Sequence, residues 1–278
     1  MGEILIAVGI LAGLGLVFGL VLAAASKVFY VETDPRLDAL NDCLPGANCG
    51  GCGYAGCGAY AEAVLSGEAP IGACASGGNE CAGAMAAIMG VEAGEVKRKV
   101  AFVRCSGYRK VDEGGKELGA KTKAQYEGFK DCYAASKVGG NGPISCKYGC
   151  LGFGTCVKAC KYDAIRVVDG VAKVDSEKCV GCLACVRTCP RHVIEAVDFD
   201  QEVLIPCASH AKGAVTVRGC SQGCIGCGLC VKICPEQAIS VEKNLAVMDY
   251  SKCTNCGLCA TVCPRHLIVS NVDEQPQS

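Results

Sequence analysis

The chain has 278 residues and a formal net charge of −1 at pH 7, which gives no general attraction to nucleic acid. Aromatic residues make up 5% of the sequence and tryptophan is absent, which disfavours one large aromatic core. Cysteine is unusually common, with 26 residues. The length predicts two domains or several small modules, and the spacing of the cysteines decides what kind they are.

An apolar stretch without charged residues opens the chain, from Ile4 to Ala25. A helix of this length rises roughly 33 Å at about 1.5 Å per residue, enough to cross a hydrocarbon core of about 30 Å. A signal peptide is the alternative, but it needs a basic leader and a shorter apolar core. Because Lys27 and Arg36 follow the stretch, the positive-inside rule predicts a single-pass anchor at residues 1–26 in the inner (cytoplasmic) membrane. The bulk of the chain would then lie on the cytoplasmic side.

The C-terminal half contains an internal repeat with a period of 74 residues. Adding 74 to the number of each of eight cysteines gives another cysteine every time. The first set is Cys146, Cys150, Cys156, Cys160, Cys179, Cys182, Cys185 and Cys189, and the second is Cys220, Cys224, Cys230, Cys234, Cys253, Cys256, Cys259 and Cys263. The repeat predicts a first module at residues 141–198, a second module at 199–271 and a polar tail at 272–278.

The region before the repeat divides into two parts. Residues 27–90 contain a Gly-rich cysteine segment, and residues 91–140 are rich in Lys, Gly and Glu. The second part is predicted to be a linker with some local structure. Within it, residues 97–130 carry ten Lys or Arg against four Asp or Glu. This basic stretch is either an ordinary solvated surface or a docking patch that speeds association with an acidic partner.

Three stretches have the form C-x2-C-x2-C-x3-C-P, which is the spacing of bacterial ferredoxins. They are CVGCLACVRTCP (179–190), CIGCGLCVKICP (224–235) and CTNCGLCATVCP (253–264). The three closely spaced thiolates bind one [4Fe–4S] cluster, and the fourth cysteine ligates the other cluster of the pair. We therefore predict one cluster bound by Cys224, Cys227, Cys230 and Cys263, and another bound by Cys253, Cys256, Cys259 and Cys234.

The first half-motif of the first module departs from this pattern. Phe153 occupies the position equivalent to Cys227, and Lys161 replaces the proline. Cys146 is predicted to fill the vacancy, with a three-iron cluster or an unusual ligand as the alternative. The predicted clusters of this module are bound by Cys146, Cys150, Cys156 and Cys189, and by Cys179, Cys182, Cys185 and Cys160.

Two other uses of the cysteines fit this spacing less well. A tetrahedral zinc site uses pairs of C-x2-C or mixtures of Cys and His, and three thiols at C-x2-C-x2-C crowd that geometry. Disulfides are strained at the same spacing and are rare in the reducing cytoplasm that the anchor predicts. The sequence therefore favours iron–sulfur clusters.

The segment CGGCGYAGC places Cys49, Cys52 and Cys57 in a Gly-rich loop, and Cys74 follows a helical-looking segment. This is not ferredoxin spacing. Three thiols in a loop and one returning thiol still suffice for a [4Fe–4S] site, so we predict a fifth cluster there, in a small domain at residues 27–90.

Six cysteines remain without an assigned cluster. They are Cys43, Cys81, Cys105, Cys132, Cys207 and Cys220. Four of these, Cys105, Cys132, Cys207 and Cys220, could bind a sixth cluster. The alternative is that they are buried free thiols, which pack as small hydrophobic side chains. We expect five clusters and leave a sixth open.

No catalytic arrangement accompanies these predicted sites. The sequence has no G-x-G-x-x-G after a strand and no P-loop, and no Ser–His–Asp or paired-carboxylate arrangement stands out. We therefore expect no independent catalytic site in this chain, and no nicotinamide or flavin bound by it.

The anchor, the segment NCGGCGYAGCGAYAEAV with Cys74 and the ferredoxin-like remainder closely resemble one family. It is the B subunit of the Rnf complex, the ion-translocating ferredoxin:NAD oxidoreductase, in its long form with two ferredoxin-like modules. The resemblance covers nearly the whole chain. It implies an α+β fold with a single N-terminal transmembrane helix, a small membrane-proximal [4Fe–4S] domain bound through Cys49, Cys52, Cys57 and Cys74, and two tandem bacterial ferredoxin-like modules.

The resemblance also implies a function. The chain would accept electrons from reduced soluble ferredoxin and pass them through its clusters to other subunits of a membrane complex that reduces NAD and translocates Na⁺ or H⁺. One alternative is an iron–sulfur subunit of another membrane oxidoreductase, such as a hydrogenase. Another is a system that keeps a redox-sensing transcription regulator reduced, and a third is a structural metal protein.

Overall fold

The computed structural model describes residues 2–28, 34–92, 94, 96–115 and 117–270. The predicted tail and the first residue of the predicted anchor lie outside these residues. Helix α1 spans Gly2–Val28, and its segment Val8–Lys27 has a mean hydropathy of 2.5 with none of it buried in the protein. The helix is therefore long and apolar enough to cross a membrane.

Three short helices form the domain that follows α1. They are α2 (Pro35–Asp42), α3 (Cys57–Leu65) and α4 (Gly78–Met89). Helix α2 begins where it does because the side chain of Asp34 accepts a hydrogen bond from the backbone N–H of Arg36. Helix α4 ends at Gly90, whose φ of 68° is the left-handed conformation that closes many helices.

The core of this small domain forms around Tyr60, which is fully buried together with Leu40 and Met85. The Tyr60 hydroxyl donates a hydrogen bond to the Pro70 carbonyl at 2.9 Å and accepts one from the Ala73 N–H at 3.1 Å. Tyr60 therefore fixes the returning segment immediately before Cys74.

Strand β1 (Lys99–Val103) lies inside the predicted linker and belongs to the core of the first module. It pairs antiparallel with β6 (Ile194–Asp198), with Val100 opposite Val197. Four of its five residues are buried, because the apolar run VAFV packs on the module. The linker prediction thus missed a core strand whose partner lies far away in the sequence.

The rest of the predicted linker also holds short elements. They are β2 (Lys110–Val111), β3 (Glu117–Leu118) and α5 (Cys132–Lys137). Two arginines of the basic stretch bind groups of the first module: Arg98 donates to the Ser176 carbonyl at 2.8 Å, and Arg104 pairs with Glu195 at 3.2 Å. Part of the positive charge of this stretch therefore holds the first module together.

The two modules repeat the same elements at a separation of 74 residues. The first contains α6 (Thr155–Ala159), β4 (Ile165–Val168), β5 (Val171–Val174) and α7 (Ala184–Thr188). The second contains α9 (Leu229–Ile233), β7 (Ile239–Glu242), β8 (Leu245–Met248) and α10 (Leu258–Thr261), after α8 (Gly213–Gly219). In each module the strands form one antiparallel hairpin, and the two short helices contact each other.

The segment between β3 and α6 ties the modules together through isolated β-bridges. Ala120 pairs with Cys220 in the second module, and Thr122 pairs with Ile144. A further bridge joins Leu204 to Val269. The predicted linker is therefore a structural part of the junction between the modules.

Candidate iron–sulfur sites

The four cysteines predicted for the membrane-proximal site share one neighbourhood. The Asn48 side chain accepts a hydrogen bond from the backbone N–H of Cys57 at 2.8 Å, which folds the Gly-rich loop back onto the start of α3. Burial raises the pKa of the Cys74 thiol, and the nearby negative charges of Cys52, Cys57 and Cys49 raise it further. Three loop thiols and one returning thiol therefore face a common space.

Two further cysteines lie beside this site, and the Cys81 thiol contacts that of Cys74. The Cys43 thiol donates to the Ala39 carbonyl at 3.2 Å, and the Cys81 thiol lies 3.8 Å from the Met85 sulfur. Burial raises the pKa of Cys81 to about 11, so this thiol is protonated at neutral pH.

Three of the predicted ligand sets each line one cavity of their own. The sets are Cys160, Cys179, Cys182 and Cys185; Cys224, Cys227, Cys230 and Cys263; and Cys234, Cys253, Cys256 and Cys259. In each set, three thiols come from a C-x2-C-x2-C segment and the fourth from the other half of the module. The short helices α6, α7, α9 and α10 carry ligands on or beside them, and their contacts bring the two halves together.

Backbone N–H groups approach the sulfurs at equivalent positions of the two modules. The Ala164 N–H lies 3.4 Å from the Cys160 sulfur, and the Ala238 N–H lies 3.3 Å from the Cys234 sulfur. Hydrogen bonds to sulfur are one of the factors that set the reduction potential of an iron–sulfur cluster. The repeat therefore gives the same tuning contact to both modules.

A second contact to sulfur differs between the modules. In the first, the backbone N–H of Ala101 on β1 lies 3.4 Å from the Cys179 sulfur. In the second, the side-chain amide of Gln201 lies 3.5 Å from the Cys253 sulfur. Cys179 and Cys253 are equivalent in the repeat. The N–H group near this sulfur therefore comes from a strand backbone in the first module and from a side chain in the second.

The remaining predicted set is only partly brought together. Cys150, Cys156 and Cys189 lie near one another. Burial raises the pKa of the Cys156 thiol, and the charges of Cys150 and Cys189 raise it further. The fourth cysteine beside them is Cys132, at the start of α5. Cys146, which the spacing predicts for this set, instead lines a separate cavity with Cys105, Cys207 and Cys220.

Phe153 occupies the missing ligand position of this set. Its ring lies 5.0 Å from the ring of Tyr126, so the residue at the missing ligand position packs against an aromatic side chain. Cys132 reaches the same site from α5, twenty-four residues before Cys156 in the chain. In the sequence, Cys132 is one of six cysteines without an assigned cluster. This identifies it as a possible ligand but does not indicate the site to which it belongs.

Burial raises the pKa of five of these thiols strongly. It raises the pKa of Cys150, Cys156 and Cys185 to about 12, and that of Cys230 and Cys259 to about 11. Iron binds the thiolate, so cluster binding must release protons from these groups. Grouped, buried thiols are a poor arrangement for a protein without metal and a good one for a metal cluster.

The order of the cysteines in the sequence distinguishes a cluster from a single ion. In three of the sets, three thiols come from one C-x2-C-x2-C segment, a spacing that crowds a tetrahedral zinc site. Each thiolate of a [4Fe–4S] cluster binds a different iron, whereas the ligands of zinc converge on one atom. The thiol groups therefore fit a cluster better than zinc.

Comparison with protein families and with known proteins agrees with this geometry. The FeS model, which describes an Fe-S cluster, matches residues 44–76. Two models described as 4Fe-4S dicluster domains match residues 178–239 and 223–267. These matches support iron–sulfur clusters as the cofactors of the chain.

Three relatives, each named as the B subunit of its complex, match about nine-tenths of the chain. That of the Na(+)-translocating ferredoxin:NAD(+) oxidoreductase complex of Acetobacterium woodii is 47% identical over 253 residues, covering 91% of this chain and 73% of the relative. The proton-translocating counterpart of Clostridium ljungdahlii is 42% identical, covering 90% and 86%. That of the ion-translocating oxidoreductase complex of Methanosarcina acetivorans is 40% identical, covering 91% and 93%. This chain belongs to the family of B subunits of ion-translocating oxidoreductase complexes.

The resemblance predicted from the sequence is thereby confirmed, as is the α+β fold with ferredoxin-like domains. One dicluster match in this family member, at 178–239, runs from the second half of the first module into the second module. The spatial units nevertheless follow the 74-residue repeat, since α6 contacts α7 and α9 contacts α10.

Proposed function

We propose that this chain is the iron–sulfur electron-transfer subunit of a membrane-bound, ion-translocating ferredoxin:NAD oxidoreductase complex. It would bind at least five [4Fe–4S] clusters, accept electrons from reduced soluble ferredoxin and pass them to partner subunits that reduce NAD. The names of the Acetobacterium and Clostridium relatives support this reaction. Helix α1 supports a single-pass anchor. Lys27 and Arg36, which follow the apolar stretch, support a cytoplasmic side for the cysteine-rich part.

The role of the protein in this function is to hold redox centres in sequence. When bound, each [4Fe–4S] cluster supplies one-electron chemistry. The ligands at the membrane-proximal site are Cys49, Cys52, Cys57 and Cys74. Those of the ferredoxin-like modules are the three sets that line cavities, together with Cys150, Cys156 and Cys189 of the remaining site.

Contact between two ligand loops is the observation that carries the proposal. A Cβ atom on Gly51, between Cys49 and Cys52, would lie 3.0 Å from the carbonyl oxygen of Cys182 in the first module. Arg187 of that module donates a hydrogen bond to the Cys49 carbonyl at 2.8 Å. The first module therefore abuts the site next to α1, which suits electron transfer toward the membrane.

The second module has the features of an entry point. Its ligands Cys227 and Cys256 are exposed, and large apolar side chains stand beside them, with Leu229 41% and Leu258 44% exposed. The first module has small or polar residues at the positions equivalent to these leucines. An apolar surface around exposed ligands suits transient docking of a redox partner.

The test uses the full chain purified without oxygen and mixed with reduced ferredoxin, while the visible absorption of its clusters is followed. We expect fast bleaching, and slower bleaching in a Leu229→Asp/Leu258→Asp variant. Val217→Asp is the control, because Val217 is 49% exposed on α8 and is not a sequence neighbour of Cys227 or Cys256. Dithionite, which needs no docking site, should reduce all three proteins equally. A wild-type chain that ferredoxin cannot reduce would contradict the proposal.

A further inference from the structure

Four cysteines that come from separate segments meet at the junction between the two modules. Cys105, Cys146, Cys207 and Cys220 line a cavity of about 250 Å³. Cys105, Cys207 and Cys220 are each 7% exposed, and Cys146 is partly buried. Four thiols around a shared space repeat the arrangement of the sites described above.

The four thiols form two matched pairs. Cys146 and Cys220 are equivalent in the 74-residue repeat. Cys105 and Cys207 match in their contacts: the backbone N–H of Cys150 lies 3.4 Å from the Cys105 sulfur, and that of Cys224 lies 3.4 Å from the Cys207 sulfur. N–H groups directed at cysteine sulfur are a common feature of iron–sulfur sites, where they help to set the reduction potential.

We infer that Cys105, Cys146, Cys207 and Cys220 bind a sixth [4Fe–4S] cluster that lies between the two ferredoxin-like modules. The inference rests on the proposed function, because it takes the chain to be an iron–sulfur electron carrier. The sequence suggested Cys132 as a member of the possible sixth set, and the inference puts Cys146 in its place.

One arginine lies near each of the two repeat-equivalent thiols of this site, Cys146 and Cys220. The Arg191 side chain has one buried guanidinium nitrogen, Nη1, without a hydrogen-bond partner among the described residues, and the charge of Cys146 acts on this guanidinium. Its repeat equivalent, Arg265, donates a hydrogen bond to the Cys220 carbonyl at 2.9 Å. Two guanidinium groups would offset the negative charge of four thiolates in a buried site.

Cys132 lies where it can be the fourth ligand beside Cys150, Cys156 and Cys189, in place of Cys146. Its backbone N–H donates to the Thr155 hydroxyl at 2.7 Å, and this hydroxyl donates to Asp131 at 2.7 Å. The two bonds attach the start of α5 to the start of α6, immediately before Cys156. Cys132, Cys150, Cys156 and Cys189 then form a full set of ligands, so each of the six sites has four thiols.

The place of the junction site defines its role. One of its thiols, Cys105, contacts the backbone of Cys150, a ligand of the first module. Another, Cys207, contacts the backbone of Cys224, a ligand of the second. A one-electron carrier at this point would link the modules. It would pass an electron from the second module, which is oxidised, to the first, which is reduced, without changing a covalent bond.

The first experiment counts iron and acid-labile sulfide in the full chain purified without oxygen, with native mass spectrometry as a second measure. We expect about 24 irons per chain, at four per cubane. About 20 irons, which is five clusters, would overturn the sixth site while leaving the proposed function intact. A chain without iron would overturn both.

The second experiment removes the site. A Cys105→Ala/Cys207→Ala variant should lose about four irons and one cluster signal in electron paramagnetic resonance, whereas Cys43→Ala, the matched control, should lose none. In the double variant, ferredoxin should still reduce the second module, while reduction of the first becomes slow. A variant that keeps its full iron content and signals would refute the inference. If the variant does not fold, the wild-type cluster count by mass spectrometry decides.

Discussion

The two ferredoxin-like modules share a repeat but differ in what surrounds them. The second module presents Cys227 and Cys256 to solvent. In the first, Phe153 replaces one of these ligands, and the other, Cys182, is covered by Gly51 of the membrane-proximal domain. The first module also has an extra core strand, β1, from outside the repeat. Under the proposed function, the first copy would carry electrons between other centres of the chain, and the second would meet the soluble ferredoxin.

The largest expected effect tests how the first module replaces its missing ligand. Cys132→Ala should remove the cluster at Cys150, Cys156 and Cys189, a loss of about four irons per chain. Adding Phe153→Cys should restore it, because this recreates the spacing found in the second module. Iron analysis and Mössbauer spectroscopy measure both steps. Retention of all iron in the single variant would show that Cys132 is no ligand.

Strand β1 provides the next test, because its hydrogen-bonded partner β6 belongs to the first module. Phe102 is 3% exposed, and Phe102→Ala should cost about 3–5 kcal/mol of unfolding free energy. Hydrogen exchange should then accelerate at the β6 amides but not in β7 and β8. Phe129→Ala is the matched control, since Phe129 is 77% exposed. Equal acceleration in both modules would mean that they unfold as one unit.

Gly51 tests the contact between the first module and the membrane-proximal domain. A side chain there meets the Cys182 carbonyl, so Gly51→Ala should cost about 1–3 kcal/mol by overpacking. We expect all clusters to remain and electron transfer to the membrane-proximal site to slow. In Gly58→Ala, the control, the new Cβ meets only the Asn41 side chain at 3.9 Å. Unchanged transfer kinetics in Gly51→Ala would exclude this contact as the route.

Gln201 gives the smallest effect and concerns the second module alone. Gln201→Leu removes the amide that approaches the Cys253 sulfur. A lost hydrogen bond of roughly 1 kcal/mol corresponds to a potential lower by about 40 mV for one electron. A redox titration followed by electron paramagnetic resonance should find one cluster shifted and the iron content unchanged. The equivalent bond in the first module comes from the backbone of Ala101, so no side-chain change removes it there.

Local spacing predicted which cysteines line the same cavity in three of the sets, because most members of each set are neighbours in the sequence. Three thiols within seven residues share one site almost whatever the rest of the fold does, and the repeat supplies the fourth. The sequence could not place Cys105, Cys132 or Cys146, since each depends on contacts formed across the whole junction. β1 was missed for the same reason: its apolar residues indicate burial, but its partner strand cannot be read from its own segment.

Strand β1 also sets an order of events while the chain is being synthesised. About 90 residues separate its last residue, Val103, from Ile194, where its partner begins. At roughly 5–20 residues per second, the ribosome needs several seconds to make them. During that interval four apolar residues of β1 have no partner strand. Cys207 and Cys220 are synthesised later still, so the proposed junction site with Cys105 and Cys146 is completed only after them. Helix α1 has by then left the ribosome, so the first module completes its folding after this apolar helix has been synthesised.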